Sequence, residues 1–133
     1  MFVTLAILAT GALVFLSAAV QHLNTITANG IAFAFTDRST PLSREGFTGR
    51  AARVLQNNLE SAAMFLPAAL LLSTNGSTIP DHANIAAGVY VIVRIAFTLA
   101  YWTGHNHLRS LFWGLGMASI MVVTLTALLT LLT

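Results

Sequence analysis

Between residues 50 and 60, polar and charged side chains recur with the spacing of one helix face. Arg50, Arg53, Asn57 and Glu60 are separated by three, four and three residues. At about 100° per residue, this spacing places them on one side of an α-helix, with Glu60 about 15 Å along the axis from Arg50. A stripe with cations at one end and a carboxylate at the other suits a ligand that carries both acidic and basic groups.

Two later segments add groups of the same kind. Arg94 and Tyr101 are seven residues apart and therefore share a helix face. Arg109 and Ser110 follow after a short polar stretch. Three predicted helices thus offer polar groups that could meet at one site.

The arginines outnumber the acid in this set, because Arg53, Arg94 and Arg109 accompany a single carboxylate, Glu60. The excess positive charge must be met by carbonyl groups, lipid headgroups or an acidic ligand. Structural alternatives remain open: Arg50 and Arg109 could extend to the headgroups, and Glu60 could form a structural ion pair with Arg53 or with Arg94.

The composition predicts an integral membrane protein. Of 133 residues, 56% are hydrophobic and only 8% are charged, whereas soluble domains average about 25% charged residues. The absence of cysteine excludes disulfides, thiolate nucleophiles and cysteine–metal sites, so any thiol must come from a bound molecule. The six arginines form no basic run, so nucleic-acid binding is not predicted.

Hydropathy predicts an all-α membrane protein, a single four-helix transmembrane domain over residues 1–133. A span needs about 20 apolar residues, and the first is read as a retained span because its apolar stretch exceeds that of a signal peptide. The predicted spans are 2–27, 49–74, 83–103 and 108–132.

Charge asymmetry predicts the orientation. The second connection holds no arginine or lysine, whereas the first and third connections hold or adjoin Arg38, Arg44, Arg50, Arg53 and Arg109. By the positive-inside rule, the first and third connections and the polar groups near them face the cytoplasm. The apolar stretch 31–35 could lie along the membrane interface. The use of arginine as the basic residue throughout and the short connections favour a bacterial inner membrane. A protein of the endoplasmic reticulum could show the same features.

Aromatic and histidine residues near the predicted helix ends have simpler interpretations. Tyr90, Trp102 and Trp113 could form an interfacial aromatic belt. His105 and His107 are two residues apart beside a turn, which does not predict a metal site without further ligands.

The ordered combination of these residues resembles one family. The segment from Arg53 to Glu60, with Pro67 after it, resembles the second-helix signature of the MAPEG family, the membrane-associated proteins in eicosanoid and glutathione metabolism. The pair Arg94 and Tyr101 resembles the third helix of that family. Arg109-Ser110 resembles the Arg-Ser of microsomal prostaglandin E synthase. The resemblance covers about residues 49–113, and the four-span plan extends it to the whole chain.

The resemblance implies a homotrimer of four-helix subunits that binds glutathione between neighbouring subunits near the cytoplasmic side. Carried over to this sequence, it places Arg53, Asn57 and Glu60 in the glutathione pocket. Glu60 would hold the γ-glutamyl ammonium group, and Asn57 would bind the peptide backbone.

The same resemblance assigns the groups from the third and fourth helices. Tyr101 would bond the tripeptide, Arg94 would brace the pocket, and Trp113 stands where the family has an aromatic residue. Arg109, with Ser110 beside it, would face the sulfur and carry the catalytic role. The implied cofactor is glutathione, and the implied substrate is a lipophilic molecule arriving from the bilayer.

Glutathione chemistry fits this charge pattern, since the tripeptide carries two carboxylates, one ammonium group and a thiol. A free thiol has a pKa of about 8.5, and a neighbouring arginine lowers it. We therefore expect a glutathione-dependent transferase or peroxidase that attacks a lipophilic electrophile or hydroperoxide. Gln56, Phe97 and the arginine-free end of the first span depart from the family pattern, and each departure removes a possible glutathione contact.

Two other functions remain open at this point. A non-enzymatic protein of the same fold would use Arg53, Glu60 and Arg94 only to stabilise helix packing. A small transporter would use the charges in a pore, but transporters usually have broken helices or internal repeats, and only Pro67 suggests one.

Overall fold

The computed structural model describes residues 2–37, 39, 41–76 and 78–132, and no strand occurs among them. Arg38, which contributes to the predicted orientation, lies outside the described residues. Four long helices and one short 3₁₀ helix follow in chain order: α1 (Phe2–Asn29), the 3₁₀ helix (Ile31–Phe35), α2 (Gly46–Thr74), α3 (Asp81–Trp102) and α4 (Asn106–Leu132).

α1 begins at the predicted residue, and α2, α3 and α4 begin two or three residues earlier than the sequence predicted. α2 starts at Gly46, which has a positive φ of 55° and follows the extended residue Glu45. α3 starts at Asp81 after the extended Pro80. The Asp81 carboxylate in the first turn interacts favourably with the positive end of the helix dipole. α2 continues as a helix through Pro67.

The four helices form an antiparallel bundle in which α1 packs mainly on α2 and α3 mainly on α4. α1 also contacts α3, and α2 contacts α4, so α1 and α4 occupy opposite corners. Arg50 on α2 donates from Nε to the Trp102 carbonyl at the end of α3, over 3.1 Å. The ends of α1 and α3 and the starts of α2 and α4 therefore lie together, and we call this the groove end.

The apolar core lies toward the opposite end of the bundle. Its small residues allow the helix backbones to approach closely, as is common where helices pack in membranes. The core consists of Val3, Ala6, Phe65, Ala69, Leu72, Ala83, Ala86, Ala87, Tyr90, Ile120, Val123 and Ala127.

The outer surface is that of a membrane protein. α1, α3 and α4 are each long and apolar enough to cross a membrane. α2 has 29 residues, but the polar side chains in its first half lower its mean hydropathy. Large apolar side chains on the outside, such as Phe15, Ile92 and Leu128, are more than half exposed. The chain is therefore an integral membrane protein built as an all-helical bundle.

Candidate functional site

A groove opens between α2, α3 and α4 at the groove end, with a volume of about 430 Å³. We call it the inner groove. It brings together seven of the eight site residues that the sequence suggested, and Arg94 is the exception. The lining residues are Arg53, Gln56, Asn57, Glu60, Phe97, Tyr101, Arg109, Ser110 and Trp113.

Tyr101 lies between two guanidinium groups. Arg53 donates from Nε to the Tyr101 hydroxyl oxygen over 3.1 Å, and the Arg53 guanidinium is 6.0 Å from the ring centroid. The Arg109 guanidinium is 4.9 Å from the same centroid. Because the hydroxyl oxygen accepts from Arg53, its own hydrogen remains available to a ligand.

Arg53 is held in place by the chain that precedes α2. Its Nη1 donates to the Arg44 carbonyl oxygen over 3.1 Å. That carbonyl lies against Gly49, where a Cβ atom would come within 1.9 Å of the oxygen. Glycine is therefore required at position 49 for this close approach, which positions the Arg53 guanidinium at the groove.

Glu60 is exposed at the far end of the groove and pairs with a neighbour on its own helix. Gln56 donates from Nε2 to Glu60 Oε1 over 2.9 Å. The alternative of a structural Glu60–Arg53 ion pair is wrong for this structure, since Arg53 bonds Tyr101 and the Arg44 carbonyl instead. The Glu60 carboxylate keeps acceptor capacity for a ligand.

Arg94 does not line the inner groove. It is 3% exposed, and its guanidinium lies 4.2 Å from the centroid of the Phe97 ring, which forms the groove wall. Its Nη2 donates to Asn57 Oδ1 over 2.9 Å and also to Asn58 Oδ1. The alternative of an Arg94–Glu60 pair is therefore wrong, because amide oxygens take the place of a carboxylate.

Asn58 is a buried polar residue that the sequence analysis missed. Its Nδ2 donates to Ser17 Oγ over 2.8 Å and to Thr98 Oγ1 over 3.1 Å, while its Oδ1 accepts from Arg94. It thereby joins α1, α2 and α3 behind the groove. The sequence offered one indication of its burial, because Asn58 lies on the face of α2 opposite the exposed Leu59 and Glu60.

Arg109 and Ser110 lie in the first turn of α4 and line the inner groove. Arg109 Nε is buried and has no hydrogen-bond partner among the described residues. The Ser110 hydroxyl donates to the Asn106 carbonyl oxygen over 3.2 Å. Trp113, one turn further along α4, is 47% exposed at the mouth of the groove.

Tyr90 does not belong to an aromatic belt. It is 2% exposed, stacks on Phe65 with ring centroids 4.0 Å apart, and shares a 2.7 Å hydrogen bond with Ser61. Trp102, by contrast, is only half-buried at the end of α3.

His105 lies at the turn between α3 and α4, where its Nδ1 is 2.8 Å from the Thr103 hydroxyl. Within the described ranges, no group of three or more histidine, aspartate or glutamate side chains could hold a metal ion.

Comparison with known proteins identifies the family. The family model for the MAPEG family matches residues 2–129, which is nearly the whole chain and includes every residue of the inner groove. A comparison with curated proteins and one with solved structures found no match. The chain belongs to the MAPEG family.

Proposed function

We propose that this protein is a glutathione-dependent membrane transferase or peroxidase that acts on a lipophilic electrophile or hydroperoxide. One observation carries the proposal: a single groove holds two guanidinium groups, Arg53 and Arg109, and one carboxylate, Glu60. Glutathione carries the complementary charges, two carboxylates and one ammonium group. The family includes proteins with this chemistry, and the groove of this chain has the side chains to support it.

The polar groups suggest how the tripeptide is held. Glu60 Oε2 is free to accept from the γ-glutamyl ammonium group while Oε1 remains bonded to Gln56. Asn57 accepts from Arg94 through Oδ1, so its Nδ2 is left to donate to a peptide carbonyl. Arg53 and the Tyr101 hydroxyl supply donors for a carboxylate.

Arg109 is the group that we assign to the sulfur. Its guanidinium lies against the Tyr101 ring, and its Nε has no partner in the described chain. A cation beside a thiol favours the thiolate, which is the nucleophilic form. The Ser110 hydroxyl donates a hydrogen bond to the Asn106 carbonyl oxygen, so it would have to rotate to donate to the sulfur.

The reaction follows from a thiolate at this position. In the transferase reaction, the sulfur attacks an electrophilic carbon, a C–S bond forms, and the leaving group departs with its electron pair. In the peroxidase reaction, the sulfur attacks the terminal peroxide oxygen and releases an alkoxide that takes a proton. A second glutathione thiol then reduces the sulfenic product, giving a disulfide and water. We propose that a lipophilic substrate reaches the groove past Trp113, which is exposed at its mouth.

Glutathione titration of the detergent-purified protein tests the proposal, with thiolate formation followed by ultraviolet absorbance near neutral pH. We expect a saturable signal that Arg109→Ala abolishes. Glu60→Gln removes one charge-assisted bond and should raise the glutathione Kd about ten- to hundredfold. Asp81→Asn, a matched loss of one acidic charge at the opposite end of the bundle, should leave the Kd unchanged. An unchanged Kd in Glu60→Gln would contradict this site.

We also propose that the protein forms a homotrimer with the groove facing the cytoplasm, as the family resemblance and the arginine distribution suggest. Light scattering of the detergent complex measures the subunit number. Since the chain has no cysteine, a single cysteine at His107 or at Asn75 gives a direct test of orientation. An impermeant maleimide added to sealed inside-out vesicles should label the first and not the second.

A non-enzymatic role is the second candidate, and the buried polar cluster favours it. Arg94, Asn58 and Thr98 are buried and join α2 to α3 through hydrogen bonds, so part of the intramembrane polarity is structural. On this reading, Glu60→Gln would alter stability or assembly without any effect on a bound thiol. The same titration therefore separates the two candidates.

A further inference from the structure

A second cleft opens at the groove end, outside the inner groove, with a volume of about 480 Å³. We call it the outer cleft. It is bordered by Arg44, Glu45, Arg50 and Asn106, which are not part of the inner groove. Arg53, Tyr101 and Arg109 form the wall that the two share. We propose that the outer cleft binds a phosphate group, carried either by a lipid headgroup or by a soluble phosphorylated molecule.

The net positive charge of the residues that border the outer cleft favours an anionic ligand. Four of the six arginines of the chain border it, against one carboxylate, Glu45. When Arg53 and Arg109 are assigned to a ligand in the inner groove, Arg44 and Arg50 remain. Guanidinium groups bind phosphate through paired N–H donors that match its oxygens.

The donors of these arginines are largely unused. Arg50 commits its Nε to the Trp102 carbonyl and packs 5.9 Å from the Phe47 ring centroid, which leaves its two terminal amino groups free within the described chain. The Arg44 side chain has no acceptor among the described residues, since only its backbone carbonyl is engaged.

Two helix starts reinforce the positive potential. α2 begins at Gly46 and α4 at Asn106, and both residues border the outer cleft. The side chain of Glu45, the N-cap residue of α2, makes no capping hydrogen bond, so it does not occupy the first backbone N–H groups of that helix. The partial positive charge of a helix N-terminus adds to that of the arginines in attracting an anion.

The position of the outer cleft suits a phosphate at the membrane surface. It lies where α3 ends and α4 begins, and both helices are long and apolar enough to cross the bilayer. Phospholipid phosphates lie at this depth. A soluble phosphorylated molecule could reach the same cleft from the aqueous side, and the chemistry of recognition is shared by the two sources.

Binding measurements on the purified full chain test this proposal with two probes. The first probe is inorganic phosphate, measured by equilibrium binding. The second is phosphatidylglycerol retained from mixed micelles that also contain phosphatidylcholine, counted by native mass spectrometry. Saturable binding of phosphate indicates a soluble ligand, selective retention of phosphatidylglycerol indicates a lipid, and binding of both indicates the shared chemistry. Binding of neither probe would overturn the proposal.

Four variants test whether the probe binds at the outer cleft. Arg44→Gln removes an exposed guanidinium and should weaken binding of the active probe about tenfold, and Arg50→Gln should weaken it further. Glu45→Gln removes the opposing carboxylate and should strengthen binding severalfold. Asp81→Asn makes the same change in net charge at the other end of the bundle and should have no effect. If Asp81→Asn strengthens binding as much as Glu45→Gln does, the interaction is a net-charge effect and the proposed site is wrong.

The glutathione titration of Glu45→Gln distinguishes the outer cleft from the inner groove. Glu45 borders the outer cleft and does not line the inner groove, so the thiolate signal should keep its wild-type midpoint while binding of the probe strengthens. If the probe and glutathione gain affinity together, the two ligands share one site and the proposal of a separate phosphate site fails.

Discussion

Asn58→Leu is expected to destabilise the bundle by about 3–4 kcal/mol. Asn58 makes two neutral hydrogen bonds, to Ser17 and Thr98, and accepts one from the charged Arg94. A neutral side-chain bond in a membrane protein contributes about 0.6 kcal/mol, and a bond to a charged group contributes about 1.5–3 kcal/mol. Leucine has a similar volume, so little of the loss should come from an empty cavity.

The loss of stability in Asn58→Leu should depend on the charge of Arg94. Asn57→Leu removes one of the two acceptors of Arg94 Nη2 and leaves Asn58 in place, so we expect it to cost about 1 kcal/mol less than Asn58→Leu. Arg94→Met removes the buried cation, and a hydrophobic replacement of a buried charge is often tolerated. The double variant Asn58→Leu/Arg94→Met should therefore be more stable than the sum of the single effects predicts, by at least about 1.5 kcal/mol.

Reversible unfolding in mixed micelles of increasing sodium dodecyl sulfate content measures these differences. Helicity and the fluorescence of Trp102 and Trp113 report the transition, and equal slopes would show that the variants unfold from the same state. If the two substitutions at positions 58 and 94 were additive within about 0.5 kcal/mol, the two residues would not be coupled. The buried cluster would then not depend on the Asn58–Arg94 bond, and our account of it would be wrong.

Three further predictions concern the groove and the core. Gly49→Ala should raise the glutathione Kd about tenfold, because the added Cβ displaces the carbonyl that holds Arg53. Gly11→Ala, whose Cβ meets no atom within 4 Å, is the matched control in the same titration. Tyr101→Phe should raise the glutathione Kd about ten- to hundredfold, since Arg53 loses one of its acceptors and the groove loses a hydroxyl donor, and an unchanged Kd would remove Tyr101 from the site. Tyr90→Phe should cost about 1 kcal/mol in the unfolding assay and leave glutathione binding unchanged.

Helical periodicity was sufficient to predict that polar groups of α2, α3 and α4 meet at one end of the bundle, although Arg94 does not line the groove. Arg53, Asn57 and Glu60 share a face of α2, and Tyr101 and Arg109 follow at the end of α3 and the start of α4. In an antiparallel bundle with short connections, these positions must lie at one end. Hydropathy likewise predicted the four helices, although the polar first half of α2 makes that helix less apolar than the other three.

Periodicity could not predict which partner each side chain chooses. Both suggested ion pairs of Glu60 were wrong. When several polar groups share a helix face, the rotamer of each side chain and its depth in the bundle decide which of them come into contact. Arg94 reaches amide oxygens beside it on α2, and Glu60 lies on the outward side of the same helix. The role of Gly49 was equally out of reach, since it depends on the path of the chain before α2.

The distribution of polar groups separates stability from ligand binding within one small bundle. The apolar core lies toward one end, and the buried Arg94 cluster ties three helices together beside the groove, which it contacts through the Arg94–Asn57 hydrogen bond. Phe97 stands between the two, with the Arg94 guanidinium on its ring and the groove beyond. Substitutions behind Phe97 should therefore act mainly on unfolding, and substitutions in front of it mainly on ligand binding. Phe97→Leu crosses this boundary, because it removes the ring that Arg94 contacts and reshapes the groove wall, so it should lower stability and glutathione affinity together. A Phe97→Leu variant that changed one property and not the other would show that the cluster and the groove are independent.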